Sequence, residues 1–504
     1  MRSLLRSFVV ASVVAGLAGC AVGPNYKRPT APVPESWKEE DAASPAIKEQ
    51  WKIAAPRDDA QRGKWWEAFG DPVLNGLEDQ VSITNQNIAQ AEAQFRSARA
   101  AIRVARADLF PTVTASAGVT RSAGVRVSTT TPGTGPAPSG TAYSVSGDVS
   151  WELDIFGRIR RNVEGSVASA QASAADLENV RLVMQSELAA DYFQLRGVDA
   201  EKRLLDTNSE AYDRALQLTI NRHNQGVVSG VDVAQAETQL YTTRAQSTDL
   251  ALARAQFEHA IAILVGKPPH DFSVAATETA YAPPPTPVEL PSELLERRPD
   301  IAGSERRVAA ANAQVGVATA AFFPQLLLAA SGGYGSSTLS NLFSLPNRFW
   351  SIGPTLVATL FQGGRRRALR DEAVAAYDNS VAVYRQGVLT AFQDVEDNLA
   401  ALRILSDESF QQKDATDAAE RALELARNRY SGGITTYLEV VTAQVTALTN
   451  ERVSIELMTR RLVASVNLVR ALGGGWQTST LPGPGVEKAP QGEPVPPNPP
   501  VPPM

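Results

Sequence analysis

A chain that does chemistry needs a nucleophile, an acid–base pair or metal ligands at workable spacing, and these 504 residues offer few candidates. The three histidines, His223, His259 and His270, are scattered, with no cysteine or carboxylate at ligand spacing, and read as surface side chains. Gly473-Gly474-Gly475 has the small residues of a phosphate-binding loop. No strand precedes it and no Lys-Ser/Thr pair follows, so it reads as a helix stop. No catalytic residue, metal site or cofactor is expected, and the chain reads as no enzyme. Lys and Arg number 48 against 54 Asp and Glu, a net charge of −6 that argues against a nucleic-acid partner.

The side chain with a legible chemistry is Cys20, the one cysteine in the sequence. Arg2 and Arg6 precede an apolar run from Phe8 to Ala18, shorter than the ~20 residues a spanning helix needs. The run ends in Leu17-Ala18-Gly19-Cys20, which looks like a lipoprotein processing site. Cleavage after Gly19 would leave Cys20 to carry a diacylglycerol thioether, and Ala21 in place of an aspartate is the pattern of outer-membrane sorting. An ordinary signal peptide with a chance cysteine is the competing reading. Processed this way, the chain would have 485 residues (504 minus 19) and a charge of −8, since two arginines leave.

The elements that must position everything else are announced by proline. None of the 32 prolines falls in residues 139–267 or 355–481, whereas ten fall in the last 23 residues. A signal segment 1–19 and an extended arm over 20–70 come first. Asp71-Pro72 then reads as an N-cap with proline in the first helical turn. Past Pro111 the period changes from 3.6 to 2. Tyr143, Val145, Gly147, Val149, Trp151, Leu153 and Ile155 alternate with Ser144, Ser146, Asp148, Ser150, Glu152 and Asp154. Thirteen alternating residues exceed the ~9–11 of a tilted transmembrane strand, though an edge strand of a soluble sandwich would alternate too. From Phe156-Gly157 the alanine-rich, charge-dotted stretch reads as a helix to about Asn224, a turn over Gly226 to Gly230, and a second helix to Val265. Some 67 helical residues make ~100 Å, which must pack laterally. No further run reaches ~18 apolar residues, so crossing a membrane would require strands closed into a barrel.

The second half repeats the first. At an offset of 207, Ala215-Leu216 matches Ala422-Leu423, Asn221-Arg222 matches Asn428-Arg429, and Gly226 matches Gly433. Phe110-Pro111 matches Phe323-Pro324, and Phe156-Gly157 with its arginines corresponds to Phe361-Gln362-Gly363-Gly364 with Arg365 to Arg367. Repeat one is expected over 71–268, with a β-hairpin at about 111–156 and a helical hairpin at about 157–266. A proline-rich linker spans 269–292. Repeat two is expected over 293–475, with a β-hairpin at about 324–361 and a helical hairpin at about 364–473, before a disordered tail over 476–504. Two hairpins make four strands, half the smallest transmembrane barrel. If they lie in a membrane, one chain cannot close a pore.

These residues carry a family resemblance. Cys20 followed by Val22-Gly23-Pro24-Asn25-Tyr26, then Trp65-Trp66 with Phe69, Asp71-Pro72 and Leu74, resembles the OprM/NodT branch of the TolC-like outer-membrane factors. So do Trp151-Glu152-Leu153-Asp154-Ile155-Phe156-Gly157-Arg158-Ile159-Arg160-Arg161 and Leu294-Leu295-Glu296-Arg297-Arg298-Pro299-Asp300-Ile301. The resemblance covers about residues 20–476. It implies a mostly α protein with transmembrane β: a homotrimer whose twelve strands form an outer-membrane barrel continuous with a long helical tunnel. The implied role is the exit duct of a tripartite efflux system, lipid-anchored in the outer membrane. Its implied partners are a periplasmic adaptor and an inner-membrane RND-type transporter. A type I protein-secretion duct is the runner-up, and a non-conducting coiled-coil lipoprotein a further alternative.

Within that picture, Phe110, Trp151, Phe156, Phe323, Trp350 and Phe361 read as membrane-rim aromatics, with core packing at the strand-to-helix joint as competitor. The resemblance puts the adaptor at the tip turns, Gly226-Val227-Val228-Ser229 and Gly432-Gly433-Ile434-Thr435. It also implies a gate of Arg429, Tyr430, Thr435, Glu439 and Thr442. Tyr430 and Glu439 match the TolC gate tyrosine and one gate aspartate, whereas Thr435 and Thr442 stand where TolC has an arginine and a second aspartate. The expected gate therefore rests less on charge pairs and more on packing. The arginines after each second strand oppose the positive end of the helix dipole. Lipid phosphates, carboxylates or lumen water could compensate them, as could ordinary salt bridges at the junction.

Overall fold

The computed structural model describes residues 21–34, 36–39, 51–53, 64–123, 139–277, 283–284, 286–288, 297–476 and 481. Cys20, the segment 1–19 and the stretch after Leu481 lie outside the described residues. A short strand β1 (Trp51–Ile53) is followed by helices α1 (Pro72–Thr84) and α2 (Gln86–Ala107). Each helix starts on its own cap. The Asp71 carboxylate accepts the amides of Val73 and Leu74 at 2.7 and 3.2 Å. The Asn85 side-chain oxygen accepts those of Asn87 and Ile88 at 2.9 and 3.1 Å, satisfying donors that a helix start otherwise leaves unpaired.

Strands β2 (Thr112–Ala123) and β3 (Ser139–Leu153) lead into α3 (Arg158–Asn224, 67 residues) and α4 (Gly230–Leu264, 35 residues). After β4 (Thr286–Val288), which pairs in parallel with β1, comes α5 (Pro299–Ala320). Strands β5 (Gln325–Ser336) and β6 (Arg348–Val357) follow, then α6 (Arg365–Ser431, 67 residues) and α7 (Tyr437–Ala471, 35 residues). The long helices of the two halves thus match residue for residue at an offset of 207. Gly157 and Gly364, with φ of 82° and 85°, each turn the chain from strand to helix through the left-handed region open to glycine. The structure corrects the sequence alignment here. Gly157 lies opposite Gly364, so Phe361 occupies the register position of Asp154, not that of Phe156.

The four long strands form one antiparallel sheet in the order β2-β3-β5-β6, with β2 and β6 as edges unpaired among the described residues. Below it, α3 pairs with α4, α6 with α7, and α7 lies along α3. Helix α5 wedges between α3 and α6; its counterpart α2 packs on α3 with no comparable contact to α6. The three largest buried clusters among the described residues follow this layout. One surrounds Tyr192 and Phe193 under α1, a second holds Trp37, Tyr384 and Phe392, and a third joins the two hairpins at Tyr212, Leu240 and Tyr437.

The N-terminal arm is laid down this scaffold. The Val22 amide donates to the Phe156 carbonyl at 3.1 Å, Arg161 donates to Asn25 at 2.8 Å, and the Tyr26 hydroxyl donates to Glu305. Arg385 donates to the Thr30 carbonyl at 3.1 Å. Farther along α6, Trp37 is buried edge-on against Phe392 with ring centroids 5.9 Å apart. Arg403 then closes on Glu39 at 2.6 Å.

Candidate functional site

Two regions carry the functional geometry: the sheet and the far ends of the helical hairpins. The strand registers put Val113, Ala115, Ala117 and Val119 beside Val149, Gly147, Val145 and Tyr143. Leu153, Trp151 and Val149 stand beside Leu326, Leu328 and Ala330, which neighbour Leu356, Pro354 and Ile352. One face is therefore apolar across all four strands. The other carries Thr114, Ser116, Ser146, Asp148, Ser331 and Ser351, with hydroxyl-to-hydroxyl bonds of 2.8 Å at Ser116–Ser146 and Ser331–Ser351. Leu153 to Tyr143 is eleven paired residues, so ten steps of 3.4 Å give ~34 Å, or ~26 Å at a ~40° tilt. That matches the ~25 Å apolar band of an outer-membrane barrel.

The aromatics expected at a membrane rim divide between the two ends of this band. At the helix-proximal foot, Phe156 stacks on Phe323 with centroids 4.8 Å apart, and the Trp151 indole N–H donates to the Leu109 carbonyl at 2.9 Å. Phe110 and Phe361 are exposed there, Phe361 to 87%. Trp350 pairs with Gly332, toward the opposite end. There it belongs with Tyr334 and Phe343, whose rings are 5.6 Å apart. Those two did not stand out in the sequence, because Tyr334 lies in a glycine run and Phe343 in a loop.

At the tips, both turns close in the same way. The Val227 amide bonds the Arg222 carbonyl and the Ile434 amide the Arg429 carbonyl, each at 2.9 Å. Ser229 caps α4 reciprocally with Asp232. Val227 and Ile434, equivalent at the 207 offset, are exposed to 67% and 73%. The five residues expected at a gate separate into two groups. Arg429, Glu439 and Thr442 line one groove with Leu425 and Leu438, and Arg429 pairs with Glu439 at 3.2 Å. A charge pair is thus present, inside one hairpin and half exposed, where such pairs contribute about 0–1 kcal/mol. Tyr430 and Thr435 face inward, each with a buried hydroxyl oxygen lacking a hydrogen-bond partner among the described residues. The Tyr430 ring lies 5.3 Å from that of Tyr437. Burial, with Tyr430 and Tyr212 nearby, pushes the Tyr437 hydroxyl up to about 12. Arg222, from the other hairpin, sits over Tyr430 at 5.2 Å. This cation–π contact was missed in the sequence because it joins residues 208 positions apart. Among the described residues no group of His, Cys, Asp and Glu could hold a metal ion, and no helix is long and apolar enough to cross a membrane.

A profile of the outer membrane efflux protein family matches residues 77–267 and 290–474. The chain belongs to the outer membrane efflux protein family. Among relatives, the pyoverdine export outer membrane protein OpmQ of Pseudomonas aeruginosa is 34% identical over 446 residues, covering 86% of this chain and 92% of OpmQ. The probable efflux pump outer membrane protein TtgC of Pseudomonas putida is 32% identical, covering 95% and 97%. Among solved structures, the outer-membrane channel OprN superposes with a TM-score of 0.82 at 31% identity, over 91% of this chain and all of that one. The open state of the Neisseria gonorrhoeae MtrE outer membrane channel gives 0.78 at 26% identity, over 91% and 99%. This outer membrane efflux protein accordingly has the helical-hairpin and four-strand architecture of those channels, and it is a channel of the outer membrane.

Proposed function

We propose that three copies of the chain close a twelve-stranded barrel that continues into a helical tunnel. This duct would passively conduct drugs or other small molecules from a periplasmic adaptor and an inner-membrane RND-type pump to the exterior. The observation that carries the reading is the sheet, with one apolar face, one polar face and two unpaired edges. Helix α2 supports the closure. It lacks the second long helix that its counterpart α5 touches, and α6 of a neighbouring copy would supply it. Lipid anchoring at Cys20 is supported by the place of Ala21. Its Cα would lie 2.8 Å from a Cβ on Gly157, at the foot of the sheet. The tip turns would meet the adaptor, and Arg429, Tyr430, Thr435, Glu439 and Thr442 would hold the tunnel narrow. Mass measurement in detergent with conductance in a planar bilayer tests the proposal. A conducting trimer is expected; a non-conducting monomer would overturn it.

A further inference from the structure

The two strand-to-helix junctions share two arginines but not their partners. In the first repeat, Arg158 is bidentate to Glu152, with N···O distances of 2.9 and 2.7 Å. Arg160 pairs with Asp154 at 3.2 Å. Asp154 also accepts the backbone amides of Ile159 and Arg160 at 3.1 and 2.8 Å. Asp108 adds to the negative field at Arg158. Every cation there is matched by a carboxylate.

At the 207 offset fixed by α3 and α6, Arg158 and Arg160 become Arg365 and Arg367, whereas Glu152 and Asp154 become Thr359 and Phe361. Asp108, carried along the β2-to-β5 match at 213, becomes Ala321. All three acids are gone. Arg366 turns to the carbonyls of Thr359 and Ala321 and lies over Phe322 at 5.8 Å. Arg365 and Arg367 are exposed, and among the described residues no carboxylate forms an ion pair with Arg365, Arg366 or Arg367. The side on which the first set sits is fixed by β3. Glu152 belongs to the Ser146, Asp148 and Ser150 face, opposite Trp151 and Leu153, so its pair with Arg158 stands on the polar side of the sheet.

We propose that Arg365 and Arg367, which form no ion pair even with Asp371 and Glu372 farther along the same helix, make a ring of cations where the barrel meets the tunnel, a site for small anions such as chloride, carboxylates and phosphates. The ring biases what the duct passes toward negatively charged solutes. This rests on the duct reading above, which makes the polar face the lumen wall. Clefts lined by one sign of charge concentrate counter-ions, and the effect fades as salt shortens the screening length.

The test is the reversal potential of single channels under a potassium chloride gradient. One variant removes the charge, Arg365→Gln with Arg367→Gln. A second, Thr359→Glu with Phe361→Asp, keeps the arginines and rebuilds the pairing of the first repeat. Each is expected to lower the chloride-to-potassium permeability ratio by about threefold near 0.1 M salt, and by less at 1 M. If the first variant fails to insert, the second carries the test. A conducting wild type whose selectivity neither variant moves overturns the ring. That result would place the arginines against lipid headgroups or against a carboxylate of a neighbouring copy. A wild type without conductance overturns the duct reading, and the ring with it.

Discussion

Replacing Trp37 with alanine tests whether the N-terminal arm is held down locally or is part of the global core. The indole is 1% exposed and meets Phe392 edge-on at 5.9 Å. Truncating a buried tryptophan costs about 3–5 kcal/mol, and an aromatic pair accounts for about 0.5–1.5 kcal/mol beyond burial. The arm is independently fastened upstream at Tyr26 and Thr30, so the loss should fall on opening of the segment around Trp37. Its reporters are the amides of Lys38 and Glu39, which donate to the two Glu396 carboxylate oxygens at 2.8 and 3.2 Å. A local loss of about 3 kcal/mol corresponds to roughly a hundredfold faster hydrogen exchange at those two amides. The amides inside α6 should be unaffected. Unchanged protection at Lys38 and Glu39, or a uniform rise across α6, would refute the local strap.

Three further outcomes follow from the same contacts. Burial, then the neighbouring Glu187 charge, raises the Asp191 carboxyl from 3.8 to about 6. The fold therefore binds this proton more tightly than the unfolded chain does, and the contribution, present below pH 4, is lost as pH rises through about 6. Asp191→Asn should raise the melting temperature at pH 7.5 and leave it nearly unchanged at pH 4; an equal gain at both would exclude titration as the cause. Glu78 is fully buried beside Leu74, Leu77 and Val81, and neither carboxylate oxygen has a partner among the described residues. Burial and Asp79 hold its carboxyl well above the usual range. Glu78→Leu should stabilise the protein by about 1–3 kcal/mol in denaturant titrations, and a loss of stability would mean the carboxyl has an unseen role. Tyr430→Ala combined with Glu439→Ala should raise single-channel conductance, as should Arg222→Ala alone through loss of its contact with Tyr430; unchanged conductance removes these residues from the gate.

Much of the architecture was legible because its signals are local. Alternation from Tyr143 onward marks β3, although the strand stops at Leu153, where the Ile155 amide turns back to the Leu153 carbonyl at 2.8 Å. Freedom from proline marks α3 and α6, since one interior proline would break a helix. What could not be read depends on contacts far apart in sequence. The arm's course over α5 and α6 and the reach of Arg222 to Tyr430 leave no periodic trace. The match of Phe156 to Phe361 misled for a related reason. Two aromatic residues align by type, whereas the chain is held in register by the glycine that begins each long helix.

The open edges of the sheet bear on how such a protein reaches its membrane. β2 has twelve residues and β6 ten, and alternate residues of an edge strand direct their N–H and C=O groups away from the sheet. In hydrocarbon each unsatisfied group costs several kcal/mol, so about eleven residues with orphaned groups exclude a solitary chain from the bilayer. Insertion and association must then be a single event. A substitution that weakens contact between copies would be seen as missing protein in the outer membrane and a chain degraded on the way, not as a leaky or half-built channel.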